Sequence, residues 1–534
     1  MADDVAQVVT KIISNDVTRK TVATPCDAYV YMRPMWARSR AICQGERQAK
    51  DFDRHIDVVN FENLLVPFSP TMSQQQYDFY KAEAELPGIV AQYSKIIVGG
   101  LLRKEPQFTL PEDVPEGAEE WIRAELTQNN GTLLTFLDSA LWEEVQTSRA
   151  WVYIDHPATS EDTDPEILKN MKPYPVLWNA ESVINWKTSI DPNTGAEVLS
   201  QIIMSSFVMD YTKNEFHAEL IPTIWVHELV NGEYRVRIYQ QNTPANEATK
   251  PDTAFVLVKV VENIMAHGKR LTYIPVWPLN GNIDPVDPIL SPLIDREIAL
   301  YNKVSRRNHL LYGAATYTPV VSSNMVDEDF DEIVNSGLGS WIKLNQGDSI
   351  DVLKPPTESL KDMESSIAAT IEEMAKMGVR MLSPETGEQS GIALEIRNAA
   401  QTAQLGSLNA RVSAQMNAII AALLNWRYDK EYTAADVQFT LSADFNPAPL
   451  GADWLRLVTE WYQQGLIPRS VFLQIAKQND ILPPEYDDED GQAEINEDEM
   501  IANPREQQTF SQDIEQKRIK LEEKKIQKMG SNRK

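Results

Sequence analysis

His227 and Glu228 open the sequence HELVN, the first half of a His-Glu-x-x-His pattern in which two histidines one helical turn apart hold zinc and the glutamate acts as general base. The second histidine is absent, and the surrounding residues have strand character, which favours a structural His227. The histidines at 55, 156, 217, 227, 267 and 309 fall into no metal-ligand spacing. Gly99-Gly100 is not followed by the Gly-Lys-Ser/Thr that lets a backbone cradle phosphate. Asp155-His156, near a serine, has nothing more to make it a catalytic triad. The expectation is therefore no catalysis, no metal and no cofactor.

What remains is charge and polarity in particular places. Lys303, Arg306 and Arg307 sit in a helical stretch, with Lys303 and Arg307 on one face. They suit weak contacts to phosphate, or ordinary ion pairs of a solvated helix. Arg380, Ser383, Glu385, Thr386, Glu388 and Gln389 make a polar segment of mixed sign. It suits a sliding contact, or an exposed connector. Asp327, Glu328, Asp329, Asp331 and Glu332 form an acidic cluster. It suits docking of a basic partner, or favourable placement at a helix N-terminus.

Two strong helical patterns hold the polar segment between them. In the first, Met363, Ile367, Ile371 and Met374 recur every three or four residues. In the second, Ile392, Ile396, Ala399 and Ala403, then Leu408, Val412, Ile419 and Leu423, mark one apolar side. Pro384 and Gly387 stop the helix between them. The second helix spans ~38 residues, or ~57 Å at about 1.5 Å per residue, and Gly406 suggests a kink in it.

Around this segment the chain alternates between classes. Residues 73–103 and 117–148 read as helices; Gly131-Thr132 separates two helices in the second block, with Thr132 placed to cap the later one. Between about 150 and 280 come short runs rich in β-branched and aromatic residues, such as LSQIIMSSFVMDY and EYRVRIYQQ. Asn231-Gly232 between two of them is a hairpin signal, so the sheet is expected to be antiparallel. Residues 291–313 return to helix, with Ser291 as N-cap and Pro292 in the first turn. Strands are expected at TYTPVV, SWIKLN and SIDVLK, around the acidic cluster, and a returning strand at VQFTLSADF. The helices WLRLVTEWYQQGLI and RSVFLQIAKQN follow. EYDDEDGQAEINEDE then reads as a solvated acidic run, ahead of a charged tail of thin apolar content.

With 534 residues the chain can fill several domains. Its net charge of −28 opposes broad, tight binding of nucleic acid, which needs many Lys and Arg on phosphates. No run reaches the ~18 apolar residues of a membrane span. The opening MADDVAQVVTKIISNDVTRK is acidic and then mixed, unlike a signal peptide. Cys26 and Cys43 alone make no disulfide framework and suit a reducing compartment. The twelve tryptophans are scattered, as core and interface anchors would be.

The arrangement of residues 357–428 resembles the portal proteins of tailed bacteriophages. LLVPFSPTMSQQQYDFYKAEAELPGIVAQYSKIIVGGLLRKEPQFTLP (64–111) is similar to that family's N-terminal wing helices, and DPILSPLIDREIALYNKVSRRNHLLYGAATYTPVV (287–321) to its first stem helix entering the clip. The resemblance implies an α+β fold with residues 1–290 in the wing, 291–314 as first stem helix and 315–356 as an α/β clip. It continues with 357–379 as second stem helix, 380–390 as tunnel loop, and 391–450 as a long kinked helix and returning wing strand. Residues 451–484 would be crown helices, and 485–534 an acidic linker and charged tail. It implies a homo-oligomeric ring, usually of twelve copies, at one capsid vertex of the virion, assembled in the host cytoplasm. Double-stranded DNA would pass through without sequence specificity, touching the tunnel loop and belts of Lys303, Arg306 and Arg307. The clip acids would dock terminase, then neck or adaptor and tail proteins, while major capsid and scaffolding proteins meet the wing. No membrane is implied. An acidic wall suits DNA that must slide rather than stick. Another virion structural protein, such as a neck or internal head protein, is the alternative; a soluble enzyme is the other class.

Overall fold

Alternating apolar residues between 183 and 261 build one antiparallel meander. Its strands, in spatial order, are β4 (Val183–Ile190), β5 (Glu197–Asp210), β6 (Glu219–Val230), β7 (Glu233–Gln241) and β8 (Phe255–Val261). The β6–β7 turn is Asn231-Gly232, with φ of 52° and 80°. Those are the positive values a two-residue hairpin turn requires. The computed structural model describes residues 21–55, 64–156, 171–191, 195–212, 214–241, 255–262, 264–266, 269–315, 318–322, 349–353, 359–377, 391–428, 430–441, 452–463, 468 and 472–473.

The chain divides into two compact units, Met1–Phe445 and Asn446–Lys534. In the first, the five-stranded sheet is covered on both faces at its centre. Ile203, Ile224 and Val226 meet Tyr29, Met32 and Trp36 of α1 (Asp27–Gln44). Ile202, Met204, Tyr234 and Val236 point the other way, into the main core. That core is filled by α4 (Ile89–Leu101), α6 (Leu133–Thr147), α7 (Ser291–Ala315) and α9 (Gly391–Arg427). A second sheet, β11 (Val276–Pro278), β2 (Trp151–Asp155) and β3 (Tyr174–Trp178), borders it. The returning strand β14 (Gln438–Thr440) pairs antiparallel with β1 (Gln107–Thr109).

The helices begin and end where local chemistry dictates. The expected helix over 73–103 is two helices, α3 (Gln74–Glu83) and α4, parted by Pro87 and Gly88. Ser73 and Gln76 close a capping box on α3. The 117–148 stretch is two helices, as Gly131-Thr132 leads one to expect, α5 (Ala118–Ala124) and α6, and Thr132 caps α6 by accepting from the Thr135 N–H. Gly45, at φ 101°, ends α1, and α2 (Glu46–His55) starts at once. α9 continues through Gly406 as unbroken helix. Its Leu408, Val412, Ile419 and Leu423 are buried as their spacing predicts; the side chains of Ile392, Ile396, Ala399 and Ala403 lie outside the described set. In the second unit, α10 (Ala452–Gln463) carries Tyr462, whose ring stacks on Phe472 at 4.6 Å.

Two buried charge clusters tie the first unit together. Arg149 is 1% exposed and lies over Trp186, Trp151 and Trp36, with ring centroids 4.2, 4.9 and 6.0 Å away. Its Nη1 donates to the Ile283 carbonyl at 2.9 Å, and burial lowers its pKa to about 10. Beside it, Glu144 accepts from the Ala150 N–H at 2.9 Å. Burial pushes the Glu144 carboxyl up to about 7, opposed by that N–H and reinforced by the neighbouring Glu143. The folded state thus holds this proton longer than the unfolded chain, so the contribution to stability falls as pH rises from about 4.5 to about 7. Glu144→Gln keeps an acceptor for Ala150 and removes the titration. Urea melts should find it more stable than wild type at pH 8 by up to about 3 kcal/mol, with little gain at pH 5. A loss of stability at pH 8 would contradict this account.

Candidate functional site

The candidate segment is a helical hairpin. α7 leads into β12 (Thr318–Ser322), which pairs antiparallel with β13 (Ser349–Leu353), and α8 (Ser359–Lys376) returns alongside α7. Rising numbers on α7 meet falling numbers on α8. Arg296 faces Glu373 at 3.4 Å, and Lys303 donates to Thr370 Oγ1 at 2.7 Å and to the Ser366 carbonyl at 3.4 Å. Arg307 donates to Glu364 at 3.0 Å. The helices are therefore antiparallel and joined by a ladder of polar contacts.

This ladder separates the three predicted basic residues. Lys303 and Arg307 share the face that meets α8, as their spacing requires. Arg306, 100° further round the helix, turns toward Tyr80 of α3. Burial raises the Tyr80 phenol, and the Arg306 charge lowers it in part. On α8 the packed face is centred on Ile367, Thr370 and Met374, the last two being 4% and 1% exposed. Ile371, expected on the apolar side, is instead 43% exposed. It follows Thr370 by one residue and so lies past the edge of the contact. Ser291, expected as an N-cap, is the first residue of α7, with Pro292 in the first turn.

Sequence reasoning missed the residues that mount the hairpin on the core. Glu297 is fully buried and accepts from the N–H groups of Gly88, Ile89 and Val90 at 2.8, 3.2 and 3.2 Å. These are the orphan donors at the start of α4, so a carboxylate from α7 caps another helix. Burial raises its pKa, and the three N–H groups oppose that rise. The signal was present, because Ile294, Glu297 and Tyr301 fall on one helical face with an acid among apolar residues. Asn302 adds a second tie, donating to the Leu64 carbonyl and accepting from the Val66 N–H, both at 2.8 Å.

The other predicted sites fare differently. The loop residues Arg380, Ser383, Glu385, Thr386, Glu388 and Gln389 lie outside the described residues. So do Asp327, Glu328, Asp329, Asp331 and Glu332, the strand expected at SWIKLN, and the acidic run with its charged tail. His227 is fully buried on β6, its Nδ1 2.6 Å from the Tyr234 hydroxyl, with burial pushing its pKa down to about 3. Asp155 accepts from the Tyr153 and Tyr174 hydroxyls, both at 3.2 Å, while the His156 ring stacks on Trp426. Cys26 and Cys43 are both free thiols. Among the described residues no group of three His, Cys, Asp or Glu could hold a metal ion, and no helix is long and apolar enough to cross a membrane.

Changing Lys303 and Arg307 together to Ala removes two rungs of the ladder. Arg307 and Glu364 are 32% and 56% exposed, so that rung is worth about 1 kcal/mol or less, and the Lys303–Thr370 hydrogen bond adds about 1 kcal/mol net. The double variant should therefore fold with a nearly unchanged melting temperature. A collapse in stability would show that the ladder itself holds the hairpin.

Residues 289–427 match a family described as a domain of unknown function (DUF4055). That span opens just before α7 and closes at the last residue of α9. No curated protein matches this chain. Among solved structures, one described as the virion of a native gene transfer agent (GTA) particle is similar at 10% identity, covering 73% of this chain and 89% of that one, with a TM-score of 0.35. Another, the neck of an empty GTA particle, is similar at 11% identity over 75% of this chain and 93% of that one, also with a TM-score of 0.35. With scores at this level, neither likeness decides fold or role.

Proposed function

We infer that this chain is the portal protein of a tailed phage or phage-like particle. Copies would form a ring at one capsid vertex, through which DNA is packaged and ejected. The observation that carries the reading is the hairpin of α7 and α8. It is stiffened by the ladder from Arg296 to Arg307 and fixed to the core by Glu297. The 37-residue α9 follows it after the polar segment 380–390. α7 is held to the body along its length, from Glu297 to Tyr312, whose ring meets Phe79. The α7–α8 pair ends in the strand pair β12–β13, an arrangement that suits a stem between a body and a docking tip. The sequence resemblance supplies the order of wing, stem, clip and loop around it.

In this reading the clip acids from Asp327 to Glu332 dock a basic surface of terminase during filling and of neck proteins afterwards. The loop from Arg380 to Gln389 lines the axis. Lys303 and Arg307 act on DNA only weakly, because both are already engaged by α8. The chain supplies a conduit and a platform, and the energy for packaging comes from a partner.

The test is imaging of purified full-length protein in negative stain, with mass from light scattering. Rings with an axial hole wide enough for duplex DNA are expected, and the same preparation should release no phosphate from ATP above background. A monomer with hydrolytic activity abolished by a point mutation in this chain would overturn the proposal.

A further inference from the structure

Strands β5 and β6 outrun the sheet they belong to. β4 pairs with β5 only as far as Met204, and β7 pairs with β6 only as far as Thr223. Beyond those points, among the described residues, Phe207–Asp210 and Glu219–Pro222 pair only with each other. The result is a two-stranded arm with Val208 and Met209 exposed along it and Tyr211 and Phe216 exposed in its loop. Phe216 is 90% exposed. A two-stranded ribbon is marginal by itself in water, and large apolar side chains at its end favour a surface to cover them.

The far edge of the same sheet is the second apolar feature. β8 reads FVLVKVV, and its Val256, Leu257, Val258 and Val260 are all exposed, Val258 by 58%. Nothing among the described residues pairs with its outer edge. A register shift against β7, between Ile238 and Tyr239, leaves Val258 opposite no residue. A bulge and a lysine, here Lys259, are devices that guard an edge against open-ended strand pairing. What β8 offers a partner is therefore its apolar side chains rather than its backbone.

Resting on the ring assembly inferred above, we propose that the arm of one copy lies across the β8 surface of the next copy. The two features are unlike in shape, one a projecting ribbon and the other a flat strip. Contact between unlike surfaces of identical chains is heterologous, and it closes into a ring when the rotation allows. Charge agrees with this pairing. The arm and its loop carry Asp210, Lys213, Glu215 and Glu219, a net negative charge, and the strip carries Lys259. On a chain of net charge −28, two separate exposed apolar groups also mark binding surfaces rather than solvated ones.

The experiment uses full-length wild type, an arm variant (Met209→Asp with Phe216→Asp) and a strip variant (Leu257→Asp with Val258→Asp). Each variant alone should lose its rings while keeping wild-type circular dichroism and melting temperature. The arm variant retains an intact strip, and the strip variant an intact arm. An equimolar mixture, fixed by carbodiimide crosslinking, should therefore give a discrete heterodimer that grows no further. Should either double variant misfold, Phe216→Ser and Val258→Ser replace them in the same mixing test. Rings from either variant overturn the arm contact and leave the ring assembly standing. Variants that remain monomeric yet form no heterodimer overturn it as well, pointing to another virion protein as the arm's partner. Wild type that forms no rings overturns the ring assembly itself, and the arm contact with it.

Discussion

Arg40→Met should destabilise the first unit by about 3 kcal/mol or more, the cost of leaving a buried charge without its partner. The Arg40 guanidinium grips two carboxylates at once. Nη1 and Nη2 donate to Glu143 at 2.7 and 2.8 Å, while Nη2 and Nε donate to Glu181 at 2.7 and 3.1 Å. Glu143 is the more deeply buried acid, with 8% of its side chain exposed, and it also accepts from the Ala180 N–H at 3.0 Å. Burial alone would push its carboxyl up, but the Arg40 charge and hydrogen bonds outweigh it and hold the pKa below the ordinary carboxylate value. A depressed carboxylate contributes stability above its unfolded pKa and loses it as pH falls through the folded one. Removing Arg40 reverses this. Glu143 then stays charged in an apolar setting at neutral pH and is relieved by protonation in acid. Urea melts should therefore show a large deficit at pH 7 that narrows toward pH 4. Arg40→Lys keeps the charge and loses the paired geometry, so it should fall between the two. A methionine variant within 1 kcal/mol of wild type at pH 7, well under the usual ~3–5 kcal/mol for such a break, would show that the cluster is solvated rather than buried.

Deleting Glu385–Gln389 should leave rings that assemble and lose most of their capacity to package or retain DNA. The segment joins α8, packed on α7 through Ile367, Thr370 and Met374, to α9, seated in the core by Val412, Ile419 and Leu423. Both flanking helices have their own anchors, so shortening the connector removes little of the fold. Its residues from Pro384 to Gly391 include no large apolar side chain, so it has little to offer a subunit interface. If it lines the axis, its loss widens the channel where DNA is held, and genome-filled particles should become the minority. Particle yield, read by staining, should be unchanged. Normal DNA content in particles carrying the deletion would remove the loop from the channel.

Much of the scaffold was set by the sequence alone, because its signals are local. The Asn231-Gly232 turn needs only residues tolerant of positive φ. Thr132 caps α6 with its own hydroxyl three residues ahead of the N–H it meets. The spacing from Leu408 to Leu423 places one stripe on α9 whatever that stripe packs against. The tertiary structure decided matters that depend on which faces meet. Periodicity placed Lys303 and Arg307 together but could not show that α8 would engage both, or that Arg306 would turn to α3. Ile371 fits the period and still faces solvent, because the contact centre falls on Thr370. Glu297 was a visible anomaly on an apolar face, yet its partners are N–H groups 207–209 residues earlier. Arg40, Glu143 and Glu181 lie 103 and 141 residues apart in sequence. A hydrogen bond is decided over about 3 Å, and no local pattern encodes which distant donor will arrive there. Only the packing of α1, α6 and the short turn Ala180–Ser182 before β4 brings these charges together.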